Sequence, residues 1–267
     1  MRTSKLNKEL IIKSIKVLEK KLKRRPVKRD NHSLYFAARK HFGTWNNAMK
    51  IAGYEILERQ NPILPKKLTP ELSYFLGLLL TDGHLQVDRS FKLSLYTSYE
   101  EEVGVICSLI KLLFEYKPGV YPRKTGFSRR INYDIYISSK EVIESLENNF
   151  EVPIGAKSLT LKMPKFIFNT SKENIGSFLR GIIDGDGSVK GWSVAIASGS
   201  DSFLKSLRII LSDFNIESKI YKDRTCMILN ITKQENLKKL YSLIYNKPSF
   251  YYPRKKDKFE TVIFKSS

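Results

Sequence analysis

An internal repeat constrains this chain more than any other feature. FLGLLLTDGHL at 75–85 returns as FLRGIIDGDGSV at 178–189, placing Asp82 and Asp186 104 residues apart. The segments downstream of each copy recur as well. An alternating segment predicts a strand (Phe91–Thr97; Trp192–Ala197) and an apolar 3.6-residue period predicts a helix (Val103–Phe114; Phe203–Phe214). A second strand pair comes next (Gly119–Arg123 with Tyr133–Ser138; Ser218–Lys222 with Met227–Thr232), then a helix (Lys140–Asn148; Gln234–Tyr245). Each copy closes in a basic-aromatic stretch, Gly155–Phe168 and Phe250–Phe259. A unit that repeats at this spacing folds twice. The expected class is therefore α+β: two αββαββα half-domains related by a pseudo-twofold, each with an antiparallel, saddle-shaped sheet.

The helices carrying the repeated motif, Leu72–Leu80 and Ile175–Ile183, are apolar on nearly every side and should be buried. Gly77 and Gly181 lie five residues before each aspartate. Glycine costs about 1 kcal/mol in a helix interior, so its presence twice calls for a close approach of the two helix backbones. Each helix runs into Asp-Gly, and Gly83 and Gly187 are expected to take the left-handed turn. One Asp-Gly is only a turn signal. Two, each behind an apolar Gly-containing helix, are not. Side-by-side packing brings Asp82 and Asp186 together at two negative helix ends. Neither motif contains a neutralising group, so a cation is expected there; magnesium suits an all-oxygen site and keeps water and phosphate as its other ligands.

Charge points to the substrate class. The chain carries 47 Lys and Arg against 27 Asp and Glu, a net +20, a field that favours a polyanion. Residues 1–60 hold 16 basic and 5 acidic residues. They predict three short helices: Leu6–Lys23; a second capped by Asp30 or Ser33 and stopping at Gly43; and a third capped by Thr44 and ending at Gly53. With the basic stretch Lys23–Arg29, this resembles a helix-turn-helix DNA module. Asn61–Pro70 (NPILPKKLTP) predicts a linker, dividing the chain into 1–60, 61–70, 71–168 and 169–267. Cys107 and Cys226 have no Cys or His at ligand spacing, which argues against a zinc site or a disulfide framework. No apolar run is long enough to span a bilayer, and the N-terminus lacks a signal-peptide core. The expected setting is cytoplasmic or organellar, not secreted.

FLGLLLTDG (75–83) and LRGIIDGDG (179–187) resemble the two copies of the LAGLIDADG motif in single-chain homing endonucleases. The resemblance covers residues 70–265, and FGTWNNAMKIAGY (42–54) resembles the short repeat often attached to such enzymes. It implies a monomeric nuclease that cuts both strands of a long, pseudo-symmetric DNA site and leaves short 3′ overhangs. Asp82 and Asp186, together with Gly83 and Gly187, would form the site for Mg2+ (or Mn2+, with Ca2+ as a non-catalytic substitute). The sixth motif position is Asp184 in the second copy but Leu80 in the first, so Asp184 is read as a structural cap. Family members often carry a lysine near the end of each half. Here the matches are Lys157 in GAKSL and Lys255 or Lys256 in PRKKDKF.

The resemblance also implies that each saddle lies in the major groove of DNA. Its candidate contacts are Gln86, Lys92, Ser94, Tyr96, Ser193 and Ala195, with Arg123, Lys124, Arg129, Arg130, Lys222 and Arg224 at the strand ends. Lys23, Arg24, Arg25, Lys28 and Arg29 are candidate phosphate contacts. Two other functions fit the same residues: an RNA maturase acting on a structured intron, and a DNA-binding regulator without cleavage.

Overall fold

The computed structural model describes residues 7–55, 60–88, 90–124 and 131–264. The chain divides into two compact units, 1–59 and 60–267. Helices α1 (Lys8–Leu22), α2 (His32–Phe42) and α3 (Trp45–Ile51) form the first. The side chains of Asn7, Asn31 and Thr44 each accept from the backbone N–H three residues on, which satisfies a donor that a helix start leaves open. Ile11, Ile15, Leu34, Ala38, Ala48 and Met49 make the core. The α2 cap is Asn31, not Asp30 or Ser33. Asp30 instead accepts from Arg24 Nη2 (2.7 Å), Arg24 Nη1 (2.8 Å) and the Val27 N–H (2.8 Å), tying down the loop before α2.

The second unit contains two halves. In the first, α4 (Pro70–Asp82) is followed by β1 (Gly83–Gln86), β2 (Lys92–Thr97), α5 (Glu100–Phe114), β3 (Gly119–Lys124), β4 (Ile131–Ile137) and α6 (Lys140–Phe150). The second runs α7 (Lys172–Gly185), β5 (Gly187–Lys190), β6 (Ser193–Ser198), α8 (Asp201–Asp213), β7 (Lys219–Asp223), β8 (Cys226–Ile231) and α9 (Gln234–Ile244). The sheet orders are β1-β2-β4-β3 and β5-β6-β8-β7, antiparallel throughout. This is the expected double αββαββα. Alternation decides the faces: Leu93, Leu95, Ile135 and Ile137, with Val194, Ile196, Leu229 and Ile231, turn into the common core against the helices. No helix among the described residues is long and apolar enough to cross a membrane.

The closing segments break the symmetry. Residues 155–168 form turns and a 3-10 helix (Lys165–Asn169), whereas the stretch around Phe250–Phe259 contains an α-helix, α10 (Pro253–Phe264). Proline at the first helical position and a stripe of Phe259, Val262 and Ile263 favour that helix. The first-turn member of the stripe is a lysine, Lys255, buried to 8% exposure, which hides the apolar period in the sequence.

Helices α4 and α7 pack back to back through the paired glycines. A Cβ on Gly77 would overlap the Phe178 carbonyl oxygen and lie 3.0 Å from Gly181 Cα; one on Gly181 would overlap the Tyr74 carbonyl oxygen. Gly83 and Gly187 serve a different purpose from the expected one. Gly83 is extended (φ −101°, ψ 164°) and neither residue has positive φ. Space is what they supply. A Cβ would come within 2.7 Å of Leu79 Cα at Gly83, and within 2.7 Å of Ile183 Cα at Gly187. Each helix can thus run straight into its strand.

Candidate active site at the paired helix ends

Because α4 and α7 touch along their length, their C-terminal ends arrive together. Asp82 is the last residue of α4, and Asp186 caps α7. Burial, then the charge of Asp186, push the Asp82 carboxyl up to about 7. Asp186, open to solvent on its outer side, is raised by burial too, with Lys157 and Lys255 opposing.

The two lysines are what the motifs by themselves did not show. Lys157 Nζ donates to the carbonyl oxygens of Leu79 and Gly83, both at 2.5 Å. Lys255 Nζ donates to the carbonyls of Ile183 (3.3 Å), Gly185 (3.5 Å) and Gly187. Leu79 and Ile183, like Gly83 and Gly187, are equivalent positions of the repeat, so each helix end carries an ammonium group on its orphan carbonyls. Neither motif holds a neutralising group of its own; the ammonium groups reach the helix ends from the closing segments. Burial depresses Lys157 to about 8 against the pull of Asp186 and Asp82, and also lowers Lys255. Of the two candidates at the C-terminal end, Lys255 is at the site. Lys256 turns away, to Glu260 (3.2 Å) and the Tyr251 ring. Gly83 and Gly187 are corrected as well: their carbonyls receive the lysines, and a cation there would sit beside an ammonium group.

Asp184 is buried in the helix interface. Its Oδ2 accepts from Tyr74 Oη (2.8 Å) and from the Tyr252 N–H (2.9 Å) at the start of α10. Burial raises it to about 7, opposed by those two bonds and by Arg180. It therefore caps α10 rather than its own helix.

Among the described residues no group of three or more His, Cys, Asp or Glu could hold a metal ion. The protein's donor set at the helix ends is two carboxylates. That set fits a hard divalent cation that draws its remaining ligands from water and substrate phosphate. Adding a cation would also relieve the repulsion that raises Asp82. The raised carboxyl makes stability depend on pH. An aspartate in an unfolded chain titrates near 3.9. Between that pH and about 7, folded Asp82 keeps a proton that the unfolded chain has lost, so stability falls as pH rises through this window. Metal-free protein should lose thermal stability from pH 5 to pH 7. Asp82→Asn should flatten part of that slope, leaving the share due to Asp184 and Asp186. Equal slopes in parent and variant, in chelator, would show that Asp82 is not raised.

The candidate DNA contacts divide. Tyr96, Arg123, Lys222 and Arg224 are exposed, and Gln86 and Ser193 are half-buried, the latter donating from Oγ to the Lys190 carbonyl (3.2 Å). Ala195 is half-buried on the same face. Ser94 is only 2% exposed, between His84 and Tyr136 on its row of the sheet, so it is corrected from a base contact to a packed residue. Lys92 is held by Asp134 (2.6 Å) over the Tyr136 ring. Arg129, Arg130 and the side chain of Lys124 lie outside the described residues. In the N-terminal unit Lys23, Arg25, Lys28 and Arg29 are exposed, whereas both terminal nitrogens of Arg24 are engaged by Asp30. Arg25 and Lys28 share a groove with Tyr35, Trp45 and Arg39, a cation that no motif marks in the sequence.

Two paired helices ending in acids, each half with its own four-stranded saddle, define a two-motif protein with one composite site. Residues 72–163 match the WhiA LAGLIDADG-like domain, residues 173–245 the LAGLIDADG-like domain, and residues 6–55 the homing endonuclease associated repeat. The chain thus contains two LAGLIDADG-like domains preceded by a homing endonuclease associated repeat. Among solved structures, I-DmoI in complex with DNA and Ca matches with a TM-score of 0.56 at 15% identity, over 72% of this chain and 98% of that one. I-WcaI bound to its DNA recognition sequence matches with 0.54 at 16% identity, over 73% and 88%. I-DmoI with DNA and Mn gives 0.53 at 16%, over 67% and 98%. These likenesses concern the fold. Two curated relatives come from Methanocaldococcus jannaschii. One is a glutamine--fructose-6-phosphate aminotransferase, 27% identical over 81% of this chain and 19% of that protein. The other is the RNA polymerase subunit Rpo1C, 28% identical over 74% and 21%. The chain thus spans about a fifth of their length.

Proposed function

We propose that this chain is a divalent-metal-dependent DNA endonuclease that hydrolyses one phosphodiester in each strand of a long, pseudo-symmetric site. The observation that carries this reading is the doubled helix end: one aspartate and one carbonyl-bound lysine from each half, brought together by Gly77 and Gly181. Asp82 and Asp186 would hold the metal, which when bound supplies a Lewis acid for the phosphate and a more acidic water. Lys157 and Lys255 offset the helix-end charge and the negative charge that builds on phosphate. Lys157 spends two of its three donors on carbonyls, which leaves one for a substrate oxygen. The exposed saddle residues and the basic N-terminal unit would track the duplex.

Resemblance to segments inside an aminotransferase and an RNA polymerase subunit, proteins with unrelated tasks, supports a module that moves between genes. A second reading, a DNA-binding protein that does not cut, draws on the exposed basic residues of the N-terminal unit and the strand ends, which can contact phosphate without a metal. Incubating the chain with Mg2+ and a plasmid library of randomised sites decides between them. Linearised plasmids sharing one sequence are expected. If no concentration of the chain cuts, while Asp82→Asn retains DNA as well as the parent does, the non-cutting reading replaces this one.

A further inference from the structure

The closing segments of the two halves cross over. Lys157 contacts carbonyls of its own half, and its segment is tied to both halves: the Gly155 N–H donates to Leu85 O (2.8 Å) in the first, and further contacts reach the second. Leu161 O accepts from Ser200 Oγ (2.6 Å) and Ser202 Oγ (3.4 Å) at the start of α8. A Cβ on Gly199 would lie 2.7 Å from the Ser158 carbonyl oxygen. Lys255 is arranged in the converse way. All its carbonyl partners belong to the second half, but the neighbouring Arg254 reaches into the first, donating from Nη2 to Glu102 Oε1 (2.8 Å). The Arg254 guanidinium also lies 3.7 Å from the Tyr99 ring centroid. Glu102 is 2% exposed, and its other oxygen accepts from Thr97 Oγ1. A buried ion pair costs desolvation that its attraction only partly returns, so it is weak evidence for stability. What it supplies here is position: a fixed carboxylate that sets the first turn of α10.

We propose that Glu102 is a positioning residue for Lys255, acting through Arg254, so that each lysine at the paired helix ends is set in place by contacts from the opposite half as well as from its own. Lys157 holds carbonyls of the first helix end and Lys255 those of the second, so a contact that bridges the halves ties the two half-sites together across the pseudo-twofold. Loosening Glu102 should then affect one carboxylate more than the other. The consequence for cleavage rests on the endonuclease reading above; the placement of Lys255 does not.

The test uses the full chain with Glu102→Gln, which keeps shape and removes charge. Arg254→Gln serves as a second variant should the first fail to fold. In metal-free, DNA-free protein, reductive methylation read by mass spectrometry should modify Lys255 about tenfold faster than in the parent, with Lys157 within about twofold, as expected of a local opening. With Mg2+ and a plasmid bearing a site the parent selects from the random library, nicked circles should accumulate as one strand's rate falls by about tenfold or more. Glu102→Asp, which keeps the charge, should fall between. Unchanged Lys255 labelling in both variants, or an equal rise at Lys157, overturns the proposal, the latter marking a general loosening. A parent that cuts nothing sinks the endonuclease reading alone, because the labelling still decides the role of Glu102.

Discussion

Asp82→Asn should lower the yield of linearised DNA by about 10^3-fold, equivalent to about 4 kcal/mol of barrier, while leaving DNA binding in Ca2+ close to that of the parent. The size follows from the donor set. With two carboxylates as the protein's whole contribution, losing one halves the charge available to hold a divalent cation against water. No third His, Cys, Asp or Glu among the described residues stands in reserve. The variant should nick rather than linearise if each carboxylate serves one strand, and Asp186→Asn should nick the other. The double variant should do neither. A gel-resolved plasmid assay with strand-specific end labels reads all three outcomes. Linearisation by Asp82→Asn within about tenfold of the parent would remove Asp82 from the reaction. The same variant should be more stable than the parent at pH 7 without metal, because it removes an ionisation that burial makes costly.

Gly181→Ala should destabilise the larger unit by about 3 kcal/mol or more, and Gly77→Ala by a similar amount. The added methyl would meet backbone, not a flexible side chain: the Tyr74 carbonyl oxygen in one case and the Phe178 carbonyl oxygen in the other. Relief requires α4 and α7 to move apart, which opens the centre of the core and separates the two aspartates. Activity should therefore fall with stability. Gly104→Ala is the control. Gly104 is an exposed position on α5 with nothing within 4 Å of its Cβ, so alanine there should stabilise by about 0.5–1 kcal/mol through helix propensity. Urea unfolding of the three variants measures the contrast. Equal effects at Gly104 and Gly181 would show that the helices do not meet through their glycines.

Much of this architecture is legible in the sequence. Helix and strand periods are local, and they locate α5, α6, α8, α9 and three strands of each sheet to within a few residues; β1 and β5, only four residues long, carry no readable period where the sequence predicts a turn. The repeat makes one half a check on the other. Where symmetry stops, legibility stops: α10 has only turns and a 3-10 helix as its counterpart, and a buried lysine interrupts its apolar stripe. Ser94 reads as a saddle contact because alternation names a face. Whether a residue on that face is open depends on its neighbours across the strands, Tyr136 above all.

The sequence by itself determined the doubled architecture, the pairing of Asp82 with Asp186 and the need for Gly77 and Gly181 between them. Each of these comes from patterns a few residues long that occur twice. Only the tertiary structure decided that Lys157 and Lys255 sit on the helix-end carbonyls, that Asp184 caps a helix 68 residues away, and that Glu102 and Arg254 meet across 152 residues. Such contacts leave no local signal. A lysine on a carbonyl and a lysine in water read the same in a sequence, and burial alone makes them different.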